Sequence, residues 1–293
     1  MGKGRVKILM PGDEPRLEAF LRPRLETSMF LLGNMRAAGL RDTGQAYGGT
    51  YAALLEGGSI VGVVAHYWNG NLVFQSSGCE NILWRVAVRA SRRPVGGLIG
   101  PGDQVAVAKK ALGITGSDVQ MDQKERLFFL NLEDMVVPEM LSSGRVRGRR
   151  SEPGDLDLLT AWGTAYSVEA LGAQEGPELW AENRNSAVRF QREGRTWVLE
   201  LEGAPVASSS FNTAIKEAVQ VGGVWTPPEM RGRGYGRCVV AASLLDARRE
   251  GVEQAILFTG EGNLAAQKAY RALGFRHIGD YRILLLFEIS TDT

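Results

Sequence analysis

Cysteine and histidine are nearly missing from this chain: among 293 residues there are two cysteines, Cys79 and Cys238, and two histidines, His66 and His277. Cysteines so few and so far apart exclude a disulfide framework and suit a reducing compartment. Singly scattered His and Cys give no cluster at metal-ligand spacing, so no metal site is expected. An excess of one charge is missing too. Lys and Arg number 34 against 33 Asp and Glu, a formal net charge of +1 that offers no global attraction to nucleic acid or an acidic membrane. No apolar run approaches the roughly 18 residues of a membrane span, and the start, Met1-Gly2-Lys3-Gly4-Arg5-Val6, is basic with no apolar stretch behind it. The expectation is a cytoplasmic protein, monomer or homodimer, with no nucleic-acid and no membrane partner.

Glycine, by contrast, is plentiful, and its 37 residues mark turns rather than a fixed period. Three short strings occur in both halves in the same order. Pro11-Gly12-Asp13 and Pro153-Gly154-Asp155 each open a helix with an aspartate at the N-cap. Leu54-Leu55-Glu56-Gly57-Gly58-Ser59-Ile60 parallels Leu199-Glu200-Leu201-Glu202-Gly203-Ala204-Pro205, each reading as a hairpin. Val95-Gly96-Gly97-Leu98-Ile99-Gly100-Pro101 parallels Val221-Gly222-Gly223-Val224-Trp225-Thr226-Pro227, each a strand leading to a helix. The order suggests a tandem duplication into domains 1–141 and 142–293; two unrelated α/β units with shared turn chemistry are the alternative. The run Arg145-Val146-Arg147-Gly148-Arg149-Arg150 at the second start reads as a solvated edge strand, since basic residues on edges discourage aberrant pairing.

The halves differ after the third string. Pro227 is followed by Pro228-Glu229-Met230-Arg231-Gly232-Arg233-Gly234-Tyr235-Gly236 and then a helix with an apolar stripe at Cys238, Val239, Ala242 and Leu245. Glycines there let successive N–H groups converge on a phosphate at a helix N-terminus, and arginine adds forked donors. Pro101 is followed instead by Gly102-Asp103-Gln104-Val105, with no arginine and a carboxylate that would occupy the amides and repel a phosphate. A second block follows the loop: Asn263-Leu264-Ala265-Ala266-Gln267-Lys268-Ala269-Tyr270-Arg271-Ala272-Leu273-Gly274-Phe275, a helix with Asn263 as N-cap, Gly274 as C-terminal cap, and Ala266, Ala269, Tyr270 and Leu273 on one face.

The two blocks together resemble the GNAT superfamily of N-acetyltransferases, whose acyl-CoA signature Arg/Gln-x-x-Gly-x-Gly/Ala is Arg231-Gly232-Arg233-Gly234-Tyr235-Gly236 here. The resemblance is specific over residues 221–275 and only topological in the N-terminal half. It implies an α/β fold of two tandem units, each a mixed, mostly antiparallel sheet flanked by helices, the second splayed at an acyl-CoA site. It implies acetyl-CoA as co-substrate, no metal, and transfer to a small-molecule or peptide amine by direct attack in a ternary complex. By the same resemblance, the backbone of Val224, Trp225 and Thr226 would pair with the pantetheine arm. Arg231, Gly232, Arg233, Gly234, Tyr235 and Gly236 would hold the pyrophosphate, Asn263 would touch the coenzyme, and Tyr270 would return a proton to the leaving thiolate.

The attacking amine needs a base, for which the sequence offers Glu169, on one helix face with Trp162 and Tyr166, and Glu217, just before the key strand. Cys238 lies on an apolar stripe with no histidine beside it and reads as a core residue. His277 reads as structural. Two other readings compete: a non-catalytic acyl-CoA sensor or scaffold, and a dinucleotide-binding oxidoreductase. The second is disfavoured because the spacing is not Gly-x-Gly-x-x-Gly and arginines flank the glycines.

Overall fold

A computed structural model describes residues 4–76 and 80–289, so Cys79 lies outside the described residues. The chain divides into two compact units, Met1–Arg126 with Gly279–Thr293, and Leu127–Ile278. The boundary expected at 141/142 is therefore misplaced. Val137, Met140 and Leu141 pack against the core of the second unit, around Met135 and Val146, so the segment before residue 142 already belongs to it. The chain leaves one unit for the other within continuous strands, where no linker composition could mark the crossing.

The first unit comprises β1 (Arg5–Ile8), α1 (Glu14–Leu21), α2 (Leu25–Ala38), β2 (Gly49–Glu56), β3 (Ser59–Tyr67), β4 (Asn71–Ser76), α3 (Glu80–Ser91), β5 (Val95–Pro101), α4 (Gly102–Ala111) and the start of β6 (Val119–Asn131). The second holds the rest of β6, α5 (Glu139–Ser142), β7 (Arg147–Arg150), α6 (Leu156–Leu171), α7 (Pro177–Arg192), β8 (Thr196–Leu201), β9 (Ala204–Ala214), β10 (Ala218–Trp225), α8 (Tyr235–Arg249), β11 (Gln254–Gly260), α9 (Leu264–Arg271) and the start of β12 (Arg276–Ile289). The end of β12 returns to the first unit and pairs antiparallel with β5, Tyr281 opposite Pro101 and Leu284 opposite Leu98.

Strands of the first unit follow the order β1-β2-β3-β4-β5-β12, and those of the second β7-β8-β9-β10-β11-β6. In each, the fourth and fifth strands run parallel, β4 with β5 and β10 with β11, while β3, β12 and β9 pair antiparallel with β4, β5 and β10. The two orders match position by position, as a duplication requires. They also correct the third string match. Val95–Pro101 is β5, whose place in its sheet is that of β11, whereas Val221–Trp225 belongs to β10, whose counterpart is β4. The first two matches hold: both Pro-Gly-Asp strings follow the first strand of their unit, and both hairpins join its second and third strands.

Each unit has its own apolar core. In the first, α3 and α4 bury Leu83, Trp84, Val105 and Ala108 against Val64, Leu72, Phe74 and Leu98. In the second, α8 is the central helix. Cys238, Val239, Ala241 and Leu244 are fully buried against strand residues such as Trp197, Phe211, Val221 and Leu257. Burial on most of its faces explains why α8 is apolar well beyond a single stripe. The arginine run lies on β7, an edge strand bonded to β8 alone. Arg149 is forked onto Asp155 at 2.7 and 2.9 Å and also reaches Glu200, while Arg150 lies over the Trp197 ring and pairs with Glu250. The edge-strand reading stands, with these arginines tied into their own unit.

Candidate functional site

The site starts where β10 and β11 part. Their parallel register runs from Ala218 opposite Gln254 to Val221 opposite Leu257 and then ends. Beyond it, Gly222 to Trp225 keep a partner only in β9, and Phe258 to Gly260 continue without β10. The divergence has a local cause. The β9 register slips between Gly222 (opposite Ser210) and Trp225 (opposite Ser208), a bulge that bends β10 away. Gly223 sits in that bulge at φ +56°. A Cβ on Gly222 would lie 2.1 Å from the Asn212 amide nitrogen, so a side chain there would have to displace that carboxamide. The result is a V whose β10 edge offers the backbone of residues 222–225. Val224 and Thr226 are half-buried, and Trp225 is buried.

The loop from β10 to α8 supplies the next element. Gly232 and Gly234 have φ of +77° and +84°, in the left-handed region that costs a side-chain-bearing residue roughly 1–2 kcal/mol. Gly234 is the N-cap of α8, no side chain caps the helix, and its first turn holds no acidic residue. The amides of Tyr235 and Gly236 thus open a 15-residue helix whose N-cap residue offers them no side chain, the arrangement that favours an anion. Tyr235 contributes only its backbone there, because its ring is buried in the core. Arg233 is exposed, with one long contact, 3.4 Å, from Nη2 to the Glu229 carbonyl.

Arg231 is placed otherwise than the sequence suggests. Its Nε donates to the Thr226 carbonyl at 2.9 Å, and Nη1 and Nη2 donate to the two oxygens of Glu169 at 2.8 and 2.9 Å. Its guanidinium also stacks on Trp225, 4.8 Å from the ring centroid. All three nitrogens have partners within the chain. The same pair engages both oxygens of Glu169, one of the two candidate bases.

Glu217, the other candidate, precedes the first residue of β10, and at about 3.3 Å per strand residue it lies roughly 25 Å from Trp225. Its carbonyl serves the start of β11, accepting from Gln254 at 3.2 Å.

Asn263 and Tyr270 sit on α9, directly after β11. Asn263 Oδ1 accepts from the Ala266 amide at 3.1 Å, the cap its position implies. The Tyr270 ring, 8% exposed, lies edge-on to Phe275 at 6.0 Å and tilted to Phe128 at 6.5 Å. A residue the sequence reading passed over fixes this turn: buried Gln267 donates to the carbonyls of Gly260 and Glu261 at 3.2 and 2.8 Å. Its signal was present, a polar side chain between Asn263 and Tyr270 on the helix face that turns inward.

The remaining candidates are structural. Burial pushes the Cys238 thiol above its ordinary pKa, the reverse of an activated nucleophile. His277 packs edge-on against Phe128 at 5.6 Å. His66 is fully buried, with Nδ1 2.7 Å from Ser91 Oγ and Nε2 3.2 Å from the carbonyls of Gly70 and Pro94. Among the described residues no group of His, Cys, Asp or Glu could hold a metal ion, and no helix is long and apolar enough to cross a membrane.

Comparisons with known proteins agree with this geometry. Residues 159–275 match the model of the acetyltransferase (GNAT) family. A mycothiol acetyltransferase from Thermobispora bispora is 42% identical over 52 residues, a match that spans 18% of this chain and 18% of that protein. Among solved structures, a tandem GNAT protein from the clavulanic acid biosynthesis pathway aligns with 99% of this chain and 100% of its own, with a TM-score of 0.58 at 14% identity. A GNAT-family acetyltransferase from Colwellia psychrerythraea aligns with 97% of this chain and 100% of its own, with a TM-score of 0.52 at 14% identity. At such identities the structures speak to fold alone. The parted strands and the glycine loop fall on the segment, residues 159–275, that matches the acetyltransferase (GNAT) family, and the remainder of the chain is similar to GNAT structures in fold alone.

Proposed function

We propose that the second unit binds acetyl-CoA in the V between β10 and β11 and transfers its acetyl group directly to a primary amine. One observation carries the reading: a strand edge freed of its parallel partner leads, through two left-handed glycines, to a helix N-terminus that no side chain caps. A pantetheine amide chain suits such an edge, which offers N–H and C=O groups at strand spacing. A pyrophosphate suits the helix end, where aligned amides and Arg233 meet its charge. Trp225, held between Tyr166 and Arg231, walls the slot beside the acyl group.

In the transfer the amine nitrogen bonds to the thioester carbon and the carbon–sulfur bond breaks. Tyr270 donates its phenolic proton to the departing thiolate, and the proton lost by the amine passes to water. With Glu169 ion-paired to Arg231 and Glu217 before the start of β10, the acceptor enters as the free amine. Small-molecule and peptide amines both fit this chemistry. The first unit carries no coenzyme.

A thiol-release assay with acetyl-CoA across amino sugars, antibiotics, peptide N-termini and lysine peptides tests the proposal. Release dependent on one amine class supports it; no release together with no thermal shift by coenzyme A would sink it. Release lost in Tyr270→Phe with binding kept separates an enzyme from a sensor.

A further inference from the structure

We infer that Arg231 and Glu169 form a latch that holds the α6–α7 hairpin against the coenzyme loop, making Arg231 a positioning residue for the acceptor rather than a ligand of the pyrophosphate. The inference rests on the reading of the V as the transfer site. It begins with how weakly the hairpin is otherwise anchored. Neither α6 nor α7 contributes a residue to the main core of the second unit, and α7 has no buried residue. Of the four buried residues of α6, Leu159, Thr160, Thr164 and Ser167, three are hydroxyl-bearing, so apolar burial contributes little there. The hairpin is closed on itself by Asn183, which approaches Ser167 at 3.4 Å, and by an Arg184–Asp157 pair.

Two of the contacts that tie it to β10 and the loop lie around one ring. Tyr166 sets its edge against Trp225 at a 6.4 Å centroid distance and 89°. Three residues on, Glu169 receives both terminal nitrogens of Arg231, whose guanidinium lies over the same indole. Arg231 Nε meanwhile reaches back to the Thr226 carbonyl, so the fork is aimed before it meets its carboxylate. A bidentate pair is more directional than a lone surface contact. Both partners are still half-exposed, where an ion pair stabilises little, so breaking this one loosens the hairpin without unfolding the unit. An acceptor bound beside Trp225 would meet α6 at Tyr166, one helical turn from Glu169.

Arg231→Gln, Glu169→Gln and the charge swap Arg231→Glu with Glu169→Arg test the latch by hydrogen exchange, calorimetric titration with coenzyme A, and kinetics with the amine turned over fastest. Each single variant is expected to speed exchange of amides 165–176 several-fold and to raise the acceptor KM about 5- to 10-fold. The coenzyme A Kd should stay within about twofold, and the swap should recover most of the protection. A coenzyme A Kd about tenfold weaker in Arg231→Gln but not in Glu169→Gln would overturn the inference, as would unchanged exchange in both. Failure of the wild type to bind coenzyme A would remove the proposed function instead, and the exchange result would still decide whether the latch exists.

Discussion

The two units share a strand order and differ in what occupies the gap between their parallel strands. In the second unit β10 and β11 separate after Val221 and Leu257, and nine residues, Thr226 to Gly234, lead to α8. In the first unit the link from β4 to α3 is three residues, Ser77-Gly78-Cys79, with no arginine, and it lies outside the described residues. The parallel register there ends at Val73 opposite Ile99. Yet the strands stay together: a Cβ on Gly100 would come within 3.3 Å of Phe74 Cβ and of its carbonyl. The last amide of β4 is taken as well, since Ser76 N donates to Oε1 of buried Gln104 at 2.7 Å. One fold thus appears with its fourth strand's edge freed and with it closed by the chain's own side chain; on the proposed function, withholding contacts is what makes room for the coenzyme.

Breaking the open side should have the largest effect. Tyr270→Phe removes the proton donor while keeping the ring against Phe275 and Phe128, and kcat should fall by about 10²- to 10⁴-fold with an unchanged coenzyme A Kd in calorimetry.

A pH dependence belongs to the first unit. Burial lowers His66 to about 4, so the fold favours the neutral ring. The unfolded chain takes up the proton first, and stability falls as pH drops from about 6.5 to 4, by about 3 kcal/mol in all. Glu125, also buried, is raised to about 7 and acts oppositely: stability falls as pH rises from about 4.5 to 7. The two offset one another between pH 4.5 and 6.5. Glu125→Gln should therefore unmask the His66 slope in denaturant melts of the full chain; a flat profile in that variant would contradict the account.

The glycine loop comes next. Gly234→Val places a branched side chain at φ +84°, and a strain of roughly 1–2 kcal/mol should weaken coenzyme A binding about tenfold while leaving the acetyl-transfer chemistry of bound substrate intact. The smallest effect is expected on the closed side. Gln104→Ala should lower stability by about 1 kcal/mol, read by thermal melting, without creating a second coenzyme site.

The parts legible in the sequence are those whose geometry is local. The Asn263 cap, the glycine loop, the α8 core helix and the arginine edge strand each depend on residues a few positions apart, and each is in the structure as the spacing suggests. What escaped the sequence depends on distant partners. Arg231 and Glu169 stand 62 positions apart, so each looked available for its own task until the fold paired them. The Val-Gly-Gly match set β5 beside β10 because a string carries no record of sheet position. The crossing inside β6 and the return of β12 to β5 left no composition change to find. The closing of the first unit rests on Gln104 meeting Ser76, a contact of which only the unremarkable ends were visible.

Calorimetric titration of the full chain with acetyl-CoA is the most direct test that only the second unit keeps its strand edge free for coenzyme. One site per chain is predicted, weakened by Gly234→Val and untouched by Gln104→Ala; two sites, or a single site indifferent to Gly234→Val, would contradict it.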